Sequence, residues 1–205
     1  MKLFDSSLDG DLEGVMAALT QGGCVAMRNQ QGGTPLLAAA QSGHTDICGL
    51  LLENGSDVNV RIPEGFTPLL AAAQSGHTDV CGLLLAYGSD VNEMVTNTKH
   101  TALHNAVIRG HEASVKVLLS WGATVDPQNH IGSTPLHSAC QEGHLPCVLA
   151  LLKAEASVTL LRQGGSIAIH FAAQNNKVEV VRTLLEHGCH PDMVRYDDEI
   201  MRKQR

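Results

Sequence analysis

Apolar residues in this chain fall into two short helical blocks per 33-residue period, separated by recurring Gly, Thr and Asp positions. The period is plainest where it is copied almost unchanged. Residues 34–59 read TPLLAAAQSGHTDICGLLLENGSDVN and residues 67–92 read TPLLAAAQSGHTDVCGLLLAYGSDVN. Leu36, Ala39 and Ala40 have the spacing of one helix face, and Ile47, Leu50 and Leu51 that of a second. Thr34 can accept a backbone hydrogen bond at the start of the first helix, and Pro35 loses no donor at its first position. Gly43 should end that helix in the left-handed region. The same reasoning makes Thr45 the cap of the second helix, with Asp46 complementing its dipole and Gly55 ending it. The polar stretch from Asp57 to Gly65 then links one unit to the next. One helix pair cannot bury its own apolar face, so the prediction is a stack in which neighbours complete the core.

The period continues in both directions. Thr101-Ala102-Leu103-His104 follows after one inserted residue within Glu93–His100, and Thr134-Pro135-Leu136-His137 and Ile167-Ala168-Ile169-His170 follow at 33-residue steps. Backwards, Leu3 aligns with Leu36 and Gly10 with Gly43. The expected organisation is a single domain over residues 1–196. It comprises a degenerate unit at 1–30 and units at 31–63, 64–97, 98–130, 131–163 and 164–196, followed by a charged tail at 197–205. The run Gly132-Ser133-Thr134-Pro135-Leu136-His137-Ser138-Ala139-Cys140 with Gly143-His144, and the endings Gly55-Ser56-Asp57-Val58-Asn59 and Gly88-Ser89-Asp90-Val91-Asn92, resemble the ankyrin repeat over nearly the whole chain. The resemblance implies an all-α solenoid of stacked helix-turn-helix units joined by hairpin-like loops.

Departures from that pattern carry expectations of their own. Leu37 and Leu70 replace the motif histidine that braces neighbouring turns. Glu155 stands where Gly55, Gly88, Gly122 and Gly188 stand, so it must adopt a positive φ or change the turn. Asn176 replaces the helix-ending glycine, a milder change. Ile167 removes a capping hydroxyl and Leu145 another, so the fifth and sixth units should be less regular. Tyr87 and Trp121 fall at one position in adjacent units and should be partly buried at helix ends.

In such an array, as the resemblance implies, loop tips and first helices face the partner through positions outside the motif. Here these positions include Arg61, Glu64, Phe66, Asn97, His100, His130 and Ile131 from the loops. The first helices supply Gln74, Ile108, Arg109, Gln141, Glu142, Gln174 and Asn175. Phe66, Arg109, His130 and Ile131 are the strongest candidates, because a few central aromatic, apolar or Arg groups carry most interface energy. Gln41-Ser42 and Gln74-Ser75 are identical, which makes the early part of the face monotonous. The expected function is a non-enzymatic scaffold for a protein or peptide. A spacer within a longer array, with exposed apolar surface at Ile200 and Met201, and a ubiquitin-ligase adaptor are the alternatives; the SOCS box that some ankyrin proteins carry for the latter is not visible after Asp192 and would lie outside this chain. The resemblance also makes Asn59 and Asn92 candidates for asparaginyl hydroxylation, beside their plainer role as turn residues.

Composition narrows the picture. Apolar residues make up 43% of the chain but aromatics only 3%, which suits short helices packed through Ala, Leu and Val. A net charge of -7 argues against a phosphate-backbone partner. The six cysteines are even in number, but Cys48 and Cys81 share one apolar helical position and Cys140 stands where Ala40 and Ala73 do, so they read as free thiols. His137, Cys140, His144 and Cys147 have a composition that suits zinc, but each has a packing or turn role in the repeat. No cofactor or metal is expected. MKLFDSSLDGD lacks a signal-peptide pattern and no stretch is long enough to insert in a membrane, so a cytoplasmic or nuclear monomer is expected.

Overall fold

A computed structural model of the protein describes residues 2–63 and 65–190. Glu64, the tail at 197–205 and the apolar pair Ile200 and Met201 lie outside the described residues. The described chain forms twelve helices in six pairs. The first helices of the pairs are α1 (Lys2–Asp9), α3 (Pro35–Ser42), α5 (Pro68–Ser75), α7 (Ala102–Ile108), α9 (Pro135–Glu142) and α11 (Ala168–Gln174). The second helices are α2 (Leu12–Thr20), α4 (Thr45–Glu53), α6 (Thr78–Ala86), α8 (Glu112–Ser120), α10 (Leu145–Lys153) and α12 (Val178–Glu186). Each helix packs on its own partner and on its counterpart in the neighbouring pair, giving two helical layers. The core runs between the layers through the predicted positions: Leu36, Leu69, Leu103 and Leu136 in the first helices and Leu51, Leu84, Leu118 and Leu151 in the second are all but inaccessible.

The capping chemistry explains the first helices. Thr34, Thr67, Thr101 and Thr134 each accept the amide three residues on. In two pairs the box is closed by a histidine whose Nδ1 accepts the cap residue's own N–H, His104 for Thr101 and His137 for Thr134. Ile167 cannot accept a hydrogen bond, yet its N–H still reaches His170 Nδ1 at 3.3 Å. This half-box keeps α11 in register.

The second helices correct an expectation. Thr45 lies inside α4, and the cap position belongs to His44, which makes no side-chain cap bond. Its ring is turned away to the preceding pair, where Nε2 donates to the Leu8 carbonyl at 3.1 Å. His77, His111 and His144 bond the carbonyls of Gln41, Gln74 and Ile108 in the same way, at 3.0–3.2 Å. The histidine after the turn glycine therefore bolts one unit to the one before. Leu145 consequently loses no cap, and α9 and α10 are as long as their counterparts in the second and third units.

The glycine beneath that histidine serves two needs. Gly76 has φ +81, and a Cβ there would lie 2.6 Å from His111 Nδ1. Asn176 holds φ 54 at the equivalent position of the last described unit. Glu155 takes the predicted positive φ, at 63, where its counterparts Gly55, Gly88 and Gly122 have open space around a Cβ. All six cysteines are free; five are buried and Cys24 is exposed. Burial pushes the Cys48 and Cys81 thiols up to about 12 and Cys147 to about 11.

Candidate interaction face

The links between units are hairpin turns whose outer backbone bond runs from Asn29 N–H to Gly33, Ile62 to Phe66, Val95 to His100, Asn129 to Ser133 and Arg162 to Ser166, at 2.9–3.1 Å. The inserted residue is absorbed in the third turn, where Lys99 takes φ 55 and bonds back to Val95 rather than closing a tighter turn on glycine. Successive turns hold each other. Arg28 Nη1 donates to the carbonyls of Gly32 and Arg61, and Gln128 Nε2 to those of Gly132 and Leu161. His130 reaches the Thr98 carbonyl through both its backbone N–H and Nδ1, and Gln163 reaches His130 and Ile131.

These bonds sort the predicted site residues. His130, Ile131 and His100 lie within the lattice of turns. His100 stacks on His104 with ring centres 5.1 Å apart and accepts from Asn129 Nδ2 at 3.1 Å. Burial, and then the neighbouring His130, hold His100 below its usual pKa. His100 is thus less free to contact a partner than its loop position suggests. Arg61 is ion-paired with Glu93. Asn175 bonds the Phe171 carbonyl, and Gln141 bonds Glu142. Asn97 and Gln174 are exposed. Ile108 is half-buried, and its carbonyl is taken by His144.

Phe66, Gln74 and Arg109 come together. With Leu37, Gln41, Ile62, Ala71, Ser75 and His111 they line a groove of about 500 Å³ on the first-helix side. Leu37, Gln41 and Ile62 also line an adjoining hollow with Phe4, Leu8 and Gln31, so the depression continues toward the first unit. Sequence reasoning missed Ile62, Phe4 and Leu8 as lining groups. For Ile62 the signal was available: an isoleucine stands in a turn where Asn29 and Asn129 accept two backbone N–H groups each. Leu37 was visible only as a lost histidine, whereas in the groove it is an apolar floor.

Asn59 and Asn92 have structural partners in the next unit. The Asn59 amide oxygen accepts the Asp90 N–H at 3.1 Å and its Nδ2 donates to the Gly88 carbonyl; Asn92 accepts the Thr124 N–H at 2.8 Å. Asp126 does the same for Ser157, a third bridge at the same register. Tyr87 and Trp121 are more exposed than expected, at 43% and 49%.

The His137–Cys147 cluster is occupied by these same tasks. His137 Nδ1 takes the Thr134 N–H and hydroxyl while Nε2 donates to the Ser166 carbonyl. Burial lowers His137, like His104, to about 4, and raises Cys140 well above the ordinary thiol range. No group of three or more potential ligands is gathered for a metal among the described residues. No helix among them is long and apolar enough to cross a membrane.

Comparison with known proteins agrees with this architecture. A family model for ankyrin repeats (three copies) matches residues 61–129 and 122–195, and one for ankyrin repeats (many copies) matches residues 36–81. A solved structure, the human ASB11 ankyrin repeat domain, superposes with a TM-score of 0.86 at 30% identity, covering 93% of this chain and 85% of that one. A comparison with curated protein sequences finds no match. The chain belongs to the ankyrin-repeat family, whose members are in general protein-interaction modules.

Proposed function

We propose that this protein is a non-enzymatic scaffold that binds a protein or peptide partner along the face made by its first helices and turns. The observation that carries this reading is the groove around Phe66. In the turns, polar groups are largely consumed by bonds between units. In the groove an apolar floor lies open, with Gln41, Gln74 and Arg109 at its edge. Affinity capture from cell lysate, read by mass spectrometry, tests it. A partner held by the parent protein and lost by a Phe66→Ala/Arg109→Glu variant of unchanged circular dichroism is the expected result. A partner retained by that variant would move the binding face elsewhere.

A second reading, the substrate-recognition part of a ubiquitin-ligase adaptor, is kept because the chain shares its fold with the human ASB11 domain over nearly its full length. Under that reading the same groove receives the substrate, and ubiquitin-ligase subunits accompany the captured material. Their attachment should survive the groove substitutions, since it uses other surfaces.

A further inference from the structure

The side chains around the groove define the chemistry of its occupant more narrowly than the fold does. Three arginines on the first-helix and turn side are spoken for. Arg28 bonds two carbonyls, Arg61 pairs with Glu93, and Arg162 lies 5.1 Å over the Phe171 ring. Among the described residues, the Arg109 guanidinium has no ion pair or hydrogen bond; Arg109 is exposed and lies at the edge of the groove. Lys2 and Lys99 are unpaired as well but are not among the groove's lining residues. Among the described residues, no carboxylate lines the groove or the adjoining hollow. An unpaired guanidinium beside an apolar floor is a site for a carboxylate attached to an apolar segment, because Arg binds carboxylates through two parallel hydrogen bonds.

The shape of the occupant follows from the stack. The floor crosses three units, from Leu37 in α3 through Ile62 and Phe66 in the second turn to Arg109 at the end of α7. The Gln41 and Gln74 side-chain amides recur along it at one register and are without partners among the described residues, so they can bond the backbone of a strand laid across the units. Packed helices are roughly 8–10 Å apart and an extended chain rises about 3.3 Å per residue. One unit is therefore spanned by about three residues.

Resting on the scaffold reading above, we propose that the groove from Leu37 to Arg109 binds an extended peptide segment. The segment presents one large apolar side chain to Leu37, Ile62 and Phe66 and, about three to six residues away, an aspartate or glutamate to Arg109. The partner is thus an acidic, locally unfolded stretch of another protein, even though the chain itself carries a net charge of -7.

The test is selection of a displayed library of random 12-residue peptides on the full chain, followed by fluorescence anisotropy on synthetic versions of the winners. The expected result is an enriched pattern of one aliphatic or aromatic residue followed or preceded at a fixed spacing of about three to six residues by Asp or Glu. Changing that acid to its amide should weaken binding about tenfold. Arg109→Gln should abolish the difference between acid and amide peptides, and Arg109→Glu should shift selection to Lys or Arg at that place. Gln74→Ala, which leaves the apolar floor intact, should weaken acid and amide peptides equally. Winners that are lost on Phe66→Ala but contain no recurrent acid would overturn the acidic assignment and leave the groove as the binding face. Winners indifferent to Phe66→Ala, Gln74→Ala and Arg109→Glu, or no enrichment at all, would overturn both.

Discussion

Single side chains in this repeat are set by which neighbour needs them. Glu155 is the clearest misfit. It holds φ 63 in a turn where the other five described units use glycine (Gly22, Gly55, Gly88, Gly122 and Gly188) with nothing near the Cβ, so its cost is backbone strain alone, not crowding. Glu155→Gly should therefore raise stability by about 1 kcal/mol, read as a higher urea midpoint with unchanged slope. The buried histidines are a second case. His104 and His137 have pKa values lowered to about 4, chiefly by burial, against about 6.5 in an unfolded chain. Between those values the unfolded state binds more protons, so the stability they confer is complete above pH 6.5 and is lost as pH falls toward 4. Each pH unit in that window costs up to about 1.4 kcal/mol per histidine. The second and third units already use Leu37 and Leu70 at this position. A His104→Leu/His137→Leu variant should lose stability at neutral pH, because its bonds to Ser133 and Ser166 vanish, yet show a flatter decline on acidification. Equal slopes for parent and variant in urea titrations from pH 7 to 4.5 would contradict the assignment. The Glu155 conformation was legible in the sequence because a missing glycine has one meaning in a fixed register. The Leu37 floor was not, because a lost histidine says nothing about what the space left behind will face.

At the scale of helices and turns, the repeat made the paired helices legible, and of the core positions read for one unit Leu36, Ala39, Ala40, Ile47 and Leu51 are buried while Leu50 is half-buried. What misled was the second-helix cap. Thr45 and Thr78 look like caps only if the preceding histidine is idle, and the histidine's task lies in another unit, 36 residues away in the chain. Local sequence cannot show that bond. Its consequence is measurable at two glycines of nearly equal φ. Gly88 at +88 has open space around a Cβ, while Gly76 at +81 would drive a Cβ into the His111 ring at 2.6 Å. Gly88→Ala should cost roughly 1–2 kcal/mol from backbone strain alone. Gly76→Ala should cost roughly 1–3 kcal/mol beyond that, because the ring must move and its bond to Gln74 is lost. Similar losses for the two variants in urea unfolding would show that the histidine is not a bolt between units.

For the molecule as a whole, helices pack chiefly on their partners and on the equivalent helices of adjacent pairs, so the two ends are linked through the pairs between them. Cooperative unfolding then depends on a chain of interfaces, each as necessary as the next. The Gly76→Ala change strikes the interface between the third and fourth units, joined there by the His111–Gln74 bond and by the contact of Thr78 Oγ1 with Ser114 Oγ at 3.0 Å. Weakening it should divide one transition into two, with α1–α6 and α7–α12 losing amide protection at different denaturant concentrations. Hydrogen exchange read by mass spectrometry resolves the halves. The groove spans that same interface, since Phe66 and Gln74 come from one side and Arg109 and His111 from the other. A peptide bound across it favours the joined state alone, and by mass action must restore the single transition in the variant. If a bound peptide protected only one half, the occupied surface would lie within that half and not across the Phe66–Arg109 groove.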